Sequence, residues 1–187
     1  MNRCEQCKTF EAKIRLQTES NTMYLCNDCY NELMAEELEV DLEQLAKTFS
    51  VKDYEGVNRT FNVERSLQPN GLFLEATENI ESGYKFAVHG ELSSNQQELH
   101  KQLIEKTRKG TAKQNIKTSV LPSGHAHSSI VHYELTGLIE YDETSSGTPL
   151  VIIDGKPFTW EEVGKMLMTY EGFQFKLKMY DATEDVE

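Results

Sequence analysis

The chain has 187 residues, 38% of them hydrophobic and 27% charged, with 31 acidic against 19 basic side chains and a formal net charge of -12. That length suits one medium domain, or a small metal module joined to one or two compact units. No window approaches the ~18 apolar residues of a membrane span, and so acidic a chain is repelled by phosphate backbones and anionic lipid heads.

The N-terminus, "MNRCEQCKTFEA", lacks the apolar core of a signal peptide, so the cytoplasm is the expected compartment. Cys4/Cys7 and Cys26/Cys29 form two CxxC pairs that use every cysteine of the chain, 18 residues apart from Lys8 to Leu25. In a reducing compartment this spacing favours metal over disulfides. Each CxxC turn aims two thiolates at one point, and two turns complete the tetrahedral shell that zinc needs. One structural Zn2+ per chain is therefore expected at Cys4, Cys7, Cys26 and Cys29, with no open position for an activated water. Between the pairs, "AKIRLQT" and "TMYLC" alternate around "ESN" and read as a hairpin; Tyr30, Leu33, Met34 and Leu38 then recur at helical spacing.

A linker around "LEVDLEQLAK" leads to four alternating runs, "TFSVKD", "NRTFNVE", "NGLFLEATE" and "GYKFAVHGEL", separated by turn-forming residues. A helix follows over "SSNQQELHKQLIEKTRKG", with Ser94 and Gln97 as a capping box, Leu99, Leu103 and Ile104 as the apolar stripe, and Gly110 as the stop. This predicts a four-strand meander packed under one helix. His89 and His100 are expected on the surface. The basic run Lys101, Lys106, Arg108, Lys109, Lys113 and Lys117 reads as the solvated face and cationic end of that helix rather than a nucleic-acid contact.

Residues 113–127 are polar, contain Pro122-Ser123-Gly124, and are expected to be a linker. Beyond it, "IVHYELTGLIEYD" predicts one long strand with Val131, Tyr133, Leu135, Ile139 and Tyr141 on one face. "PLVIIDGK" predicts a short buried strand that turns at Asp154-Gly155. "FTWEEVGKMLMTYEG" predicts a helix capped by Thr159 and Glu162 and stopped at Gly172, and "FQFKLKMYD" a closing strand with Phe173, Phe175, Leu177 and Met179 inward. The acidic end, "ATEDVE", is expected to fray. The expected architecture is α+β: a Cys4 zinc-binding module over 1–40, a strand meander plus helix over 46–112, and a strand-strand-helix-strand unit over 128–181.

His125, His127 and His132 offer a second metal or hydrolytic centre, but "SGHAHSS" is also what a polar linker looks like, and no adjacent carboxylate pattern completes a catalytic set. Glu75, Glu78, Asp154, Glu161, Glu162 and Glu171 are available as acids or bases, yet Asp-Gly makes a turn and Glu161 and Glu162 suit a helix N-terminus. Trp160 is read as packing against the final strand ahead of anchoring a partner.

"CEQC", the hairpin and "LCNDCYNEL" together resemble the treble-clef zinc modules of bacterial adaptors, including the N-terminal zinc-binding domain of the ClpX unfoldase. The resemblance implies dimerisation or the gripping of adaptor and substrate proteins, and it carries no ATPase. The phrases "LCNDCYNELMA", "GLFLEATENIESGYKFAVHGE" and "IDGKPFTWEEVGKMLMTYEGFQFKLK" are similar to an uncharacterised bacterial family of zinc-ribbon proteins, which implies zinc and no assigned activity. The expected function is a protein-interaction or regulatory adaptor, with a protein partner or self-association and no membrane. The alternatives are an enzyme using His125, His127 and His132 between the two later units, and a nucleic-acid-binding zinc protein.

Overall fold

In the computed structural model, residues 3–17, 21–120, 124, 126–145 and 147–186 are described. The fold is α+β, built, among the described residues, from small antiparallel sheets and three α-helices. Strands β1 (Ile14–Gln17) and β2 (Thr22–Leu25) pair as the expected hairpin, with Ile14 opposite Leu25. Helix α1 (Asn27–Leu38) starts inside the second CxxC, and Glu39 ends it in the left-handed region at φ 54°.

The central sheet is the expected meander, in the order β3 (Thr48–Lys52), β4 (Asn58–Gln68), β5 (Gly71–Glu78), β6 (Lys85–Gly90). Alternation along these strands sends Phe61, Leu67, Leu72, Leu74 and Ala76 inward, where they are almost wholly buried. Helix α2 (Gln96–Ala112) covers them with Leu99 and Leu103, and α1 adds Met34 from the other end. Each Leu, Phe or Met among them contributes roughly 1.5–3 kcal/mol by leaving water. The connection between α1 and β3 is pinned by polar side chains. Gln96 donates to the Asp41 carbonyl and accepts from the Glu43 N–H, and Arg65 donates to the Glu43 carbonyl.

Several details of α2 differ from expectation. Its N-cap is Asn95, whose side chain accepts the Glu98 N–H at 2.8 Å, in place of a Ser94–Gln97 box. Gly110 lies inside the helix, and its missing side chain makes room for the Phe86 ring. His100 is buried, because it shares the inward face with Gln96, Leu99, Leu103, Thr107 and Thr111. The two threonines bury their hydroxyls by donating to the carbonyls of Leu103 and Thr107, one turn back.

The stretch expected to be a linker contains β7 (Ile116–Val120), which pairs with β8 (Ala126–Ile130). Only Ile116 is buried in β7, so the ribbon rests on backbone pairing and shows little apolar alternation. The long strand expected over 130–142 is broken. His132 and Tyr133 take left-handed φ values of 58° and 60°, which turn the chain after β8, and only β9 (Leu138–Glu140) resumes as strand. The third sheet has the order β11-β10-β9, with β10 (Leu150–Ile153) central and β11 (Lys156–Thr159) beyond the Asp154-Gly155 turn. Helix α3 (Trp160–Leu167) carries the expected Thr159–Glu162 capping box and ends in one 3-10 turn, Met168–Tyr170. Val151, Ile153, Val163, Met166 and Ile116 form its core.

Residues 173–181 do not form the expected closing strand. Phe173, Phe175, Leu177 and Met179 are exposed by 66%, 91%, 66% and 60%. Trp160 consequently has no final strand to pack against and is 49% exposed. No helix among the described residues is long and apolar enough to cross a membrane.

Candidate metal centre

The N-terminal turn is built from backbone hydrogen bonds around Cys4. Its N–H donates to the Phe10 carbonyl at 2.8 Å, and its own carbonyl accepts the Lys8 N–H at 3.0 Å. Lys8, at φ 59°, closes the loop in the left-handed region. The Glu5 N–H donates to the Tyr24 carbonyl at 2.9 Å, which docks the turn on the hairpin. Cys26 stands at the N-cap of α1 and Cys29 lies in its first turn, so the positive end of the helix dipole faces these thiols.

The four sulfurs all lie within 4.8 Å of one another. Cys4, Cys26 and Cys29 are buried and Cys7 is partly so, with Leu16, Leu25, Met23 and Tyr30 packed around them. The Sγ atoms of Cys7 and Cys26 are 3.8 Å apart. The edge of a tetrahedron with metal–sulfur bonds of about 2.3 Å has about this length. The cluster could hold a metal ion.

Its electrostatics are divided. Burial pushes the Cys4 thiol up, but backbone hydrogen bonds from Cys26, Cys7 and Gln6 outweigh it and bring the pKa to about 6. Cys7 is lowered chiefly by the backbone of Phe10 and Thr9. At Cys26 and Cys29 burial dominates and the pKa rises, at Cys29 with the neighbouring thiols adding to it. Four thiolates in so small a volume repel one another, and a divalent cation at their centre removes that conflict. The donor set, burial and spacing therefore fit a soft divalent metal.

The other candidate residues are scattered. His125 lies outside the described residues. His127, on β8, and His132, in the turn after it, are both exposed. Among the described residues, the only group of three or more His, Cys, Asp or Glu side chains close enough to share a metal is the four cysteines. His89 is exposed as expected, with its ring stacked on Phe73 at 4.4 Å. Glu75 accepts from Thr77 and Glu161 pairs with Lys165, both at the surface, where Glu171 is also exposed; Glu162 completes the helix cap. Glu78 and Asp154 are buried. Of the basic run, Lys101 pairs with Glu98, Arg108 with Glu105 and Lys113 with Glu134, while Lys106 donates to the Ala182 and Glu184 carbonyls. Much of its charge is thus neutralised within the chain.

One polar cluster was not anticipated. Arg59 donates to Asp53 at 2.7 Å and to Glu78 at 3.1 Å, and the other Glu78 oxygen accepts the Tyr84 N–H at 3.1 Å. Both carboxylates are buried. The only sequence signal was an acid and a base flanking the turn "DYEGVNR". The cluster joins β3, β4, β5 and the approach to β6, and its acids are occupied by an arginine, so it is an arrangement for holding the sheet together.

Three family models match the chain in succession: residues 3–41, 43–112 and 115–184, each a domain of unknown function (DUF7685, DUF7686 and DUF7713 in that order). No curated protein matches the chain, and neither does any solved structure. Span by span, the chain is similar to three domains of unknown function, with the four-cysteine cluster inside the first.

Proposed function

We propose that this chain is a zinc-stabilised interaction or regulatory adaptor. Cys4, Cys7, Cys26 and Cys29 bind one structural Zn2+, and the treble-clef-like module they close presents the β1–β2 hairpin and α1 to a protein partner. The observation that carries this reading is the convergence of four sulfurs within 4.8 Å. A four-thiolate shell leaves no site for water or substrate on the metal, so its contribution is to folding, on the order of 10 kcal/mol. Free thiols at such a site belong in a reducing compartment, which supports the cytoplasm.

The module is tied to the meander. Asn31 of α1 donates to the Arg65 carbonyl at 2.7 Å and accepts the Leu67 N–H at 2.8 Å, while Lys13 pairs with Glu64. A partner gripped by the hairpin and α1 is therefore held against the rest of the chain. The exposed face of α1 carries Glu32, Glu36 and Glu37, which favours a basic partner surface.

The test combines metal analysis with affinity capture from native lysate, wild type beside Cys26→Ser. One zinc per chain and a partner captured only by the wild type is the expected result. A protein that binds no zinc, or a metal-depleted variant that captures the same partner as well, overturns the reading.

A further inference from the structure

The four cysteines differ in their access to solvent. Cys4 is wholly buried and Cys26 and Cys29 are each 5% exposed, whereas Cys7 is only partly covered. Its neighbours along the turn, Gln6, Lys8, Thr9 and Phe10, are all exposed. Cys7 is therefore the member of the set that a small solute meets first. Its Sγ lies 3.8 Å from that of Cys26, across the gap between the N-terminal turn and the N-cap of α1. A disulfide holds two sulfurs about 2 Å apart, so a shift of about 2 Å joins them.

The two sides of that gap are anchored unequally. Around the sulfurs the turn and hairpin bury Leu25, with Leu16, Met23 and Tyr30 partly covered. Helix α1 has a second attachment, because Tyr30, Leu33, Met34, Ala35 and Leu38 pack into the core of the meander. The hairpin has the Lys13–Glu64 pair, exposed on both sides, which contributes little. Loss of the metal thus frees the turn and hairpin and leaves α1 where it is.

We propose that Cys7 and Cys26 form a peroxide-operated switch, in which their oxidation to a disulfide ejects the zinc and loosens the turn and hairpin. The switch rests on the reading of the four-cysteine cluster as a zinc site. Both sulfurs are thiolates while they hold the metal. The Cys7 thiolate attacks one oxygen of a hydroperoxide, the O–O bond breaks, and hydroxide leaves, giving a sulfenic acid on Cys7. The Cys26 thiolate then attacks that sulfur and expels a second hydroxide, and the S–S bond forms. Two thiolates have lost two electrons, the peroxide has gained them, and two protons from solvent turn the hydroxides into water. Zinc keeps only Cys4 and Cys29 of its shell and leaves hydrated. A thiol reductant reverses the step, so the disulfide is a reversible rung of cysteine oxidation. The N-terminal turn meanwhile stays tethered to α1 by the new bond, ready to bind metal again.

The test treats the zinc-loaded full chain with hydrogen peroxide in the presence of a chromogenic chelator, then alkylates the remaining thiols and maps disulfides by mass spectrometry. One zinc per chain is expected to be released together with a Cys7–Cys26 disulfide, and dithiothreitol with added zinc is expected to reverse both. Amide exchange is expected to quicken over β1 and β2 on oxidation and to hold steady over α1. Cys7→His keeps a shell of three cysteines and one histidine that can hold zinc, and is expected to release it roughly 10-fold more slowly or less. Cys4→His has the same donor count but retains Cys7 and Cys26, and is expected to respond as fast as the wild type. If either variant fails to hold zinc, the disulfide mapped in the wild type decides. A chain that binds no zinc overturns the metal reading and the switch together. A zinc-loaded chain that keeps its metal under peroxide, or loses it without a Cys7–Cys26 disulfide, overturns the switch alone, and so do equal release rates in the two histidine variants.

Discussion

Asp154 reaches across from the β10–β11 turn to the residue that starts β7. Its carboxylate accepts the Asn115 N–H at 3.0 and 3.1 Å, the Asn115 side-chain amide at 2.8 Å and the Ile116 N–H at 2.8 Å. The residue itself sits at φ 52°, which Asp and Asn tolerate better than most side chains. Gly155, at φ 68°, follows because a side chain there would strike the Tyr84 ring. The Asp-Gly turn legible in the sequence is thus also the clasp that joins β7 to the three-stranded sheet.

Replacing Asp154 with Ala strands two buried backbone N–H groups. At roughly 1–3 kcal/mol for each buried donor left unpaired, Asp154→Ala is expected to lose about 3 kcal/mol. Asp154→Asn keeps the turn and one acceptor oxygen and is expected to lose about half as much. Urea denaturation followed by tryptophan fluorescence reads both, since Trp160 heads the helix beside this sheet. Equal losses in the two variants would show that the carboxylate's hydrogen bonds are not what holds the clasp.

The Asp53–Arg59–Glu78 cluster makes stability depend on acid. Burial pushes the Asp53 carboxyl up, but the Arg59 guanidinium and the N–H groups of Val57 and Glu55 outweigh it and hold it below the ordinary range. A folded pKa below the unfolded one, about 3.9, means that this stabilisation is complete well above pH 4 and is lost as pH falls through it. Asp53→Asn is therefore expected to flatten the acid limb of a stability–pH curve below about pH 4. Arg59→Met is expected to cost about 3–5 kcal/mol at pH 7, because it leaves two carboxylates buried without a cation. A loss below about 1 kcal/mol would show that water reaches the acids.

Gly110 tests the close approach of α2 to the central sheet. In an exposed helix, Gly→Ala would gain about 1 kcal/mol. Here the added methyl would overlap the edge of the Phe86 ring, an overpacking that costs about 1–3 kcal/mol. Gly110→Ala is expected to lower the melting temperature, and Phe86→Leu combined with it to lose less than the two changes summed. Additive losses would mean that the ring and the helix do not press on each other.

What could be read from the sequence depended on whether a local pattern names its own partner. Two CxxC pairs do, because the second pair is the partner of the first, and the thiols converge. The meander does as well, since each short turn hands one alternating strand to the next. "FQFKLKMYD" alternates as cleanly, yet alternation specifies two faces and says nothing of which edge lies alongside. "NIKTSV" pairs with little apolar patterning because only Ile116 meets a core. His100 was misread for the converse reason. Glu98 and Lys101 lie close to it in sequence, but on the helix it shares a face with Gln96 and Leu103, and that face is turned to the core.

His100 supplies the prediction for mildly acidic conditions. Its ring lies edge-on to Phe49 at 6.3 Å, and its Nε2 is buried without a partner. Burial holds its pKa below the usual histidine range, against the Ala46 backbone, which favours the proton. Well above pH 6.5 the ring is neutral in both the folded and unfolded chain and has no effect on the balance. As pH falls below that, the unfolded chain takes up the proton first, so folding stability drops with decreasing pH until the buried ring is also protonated. Stability from urea midpoints is expected to be lower at pH 5.5 than at pH 7.5 in the wild type. His100→Phe, which fills the same space beside Phe49 with no titrating nitrogen, is expected to lose most of that difference. If the variant keeps the full pH dependence, the proton is being taken up elsewhere than at His100.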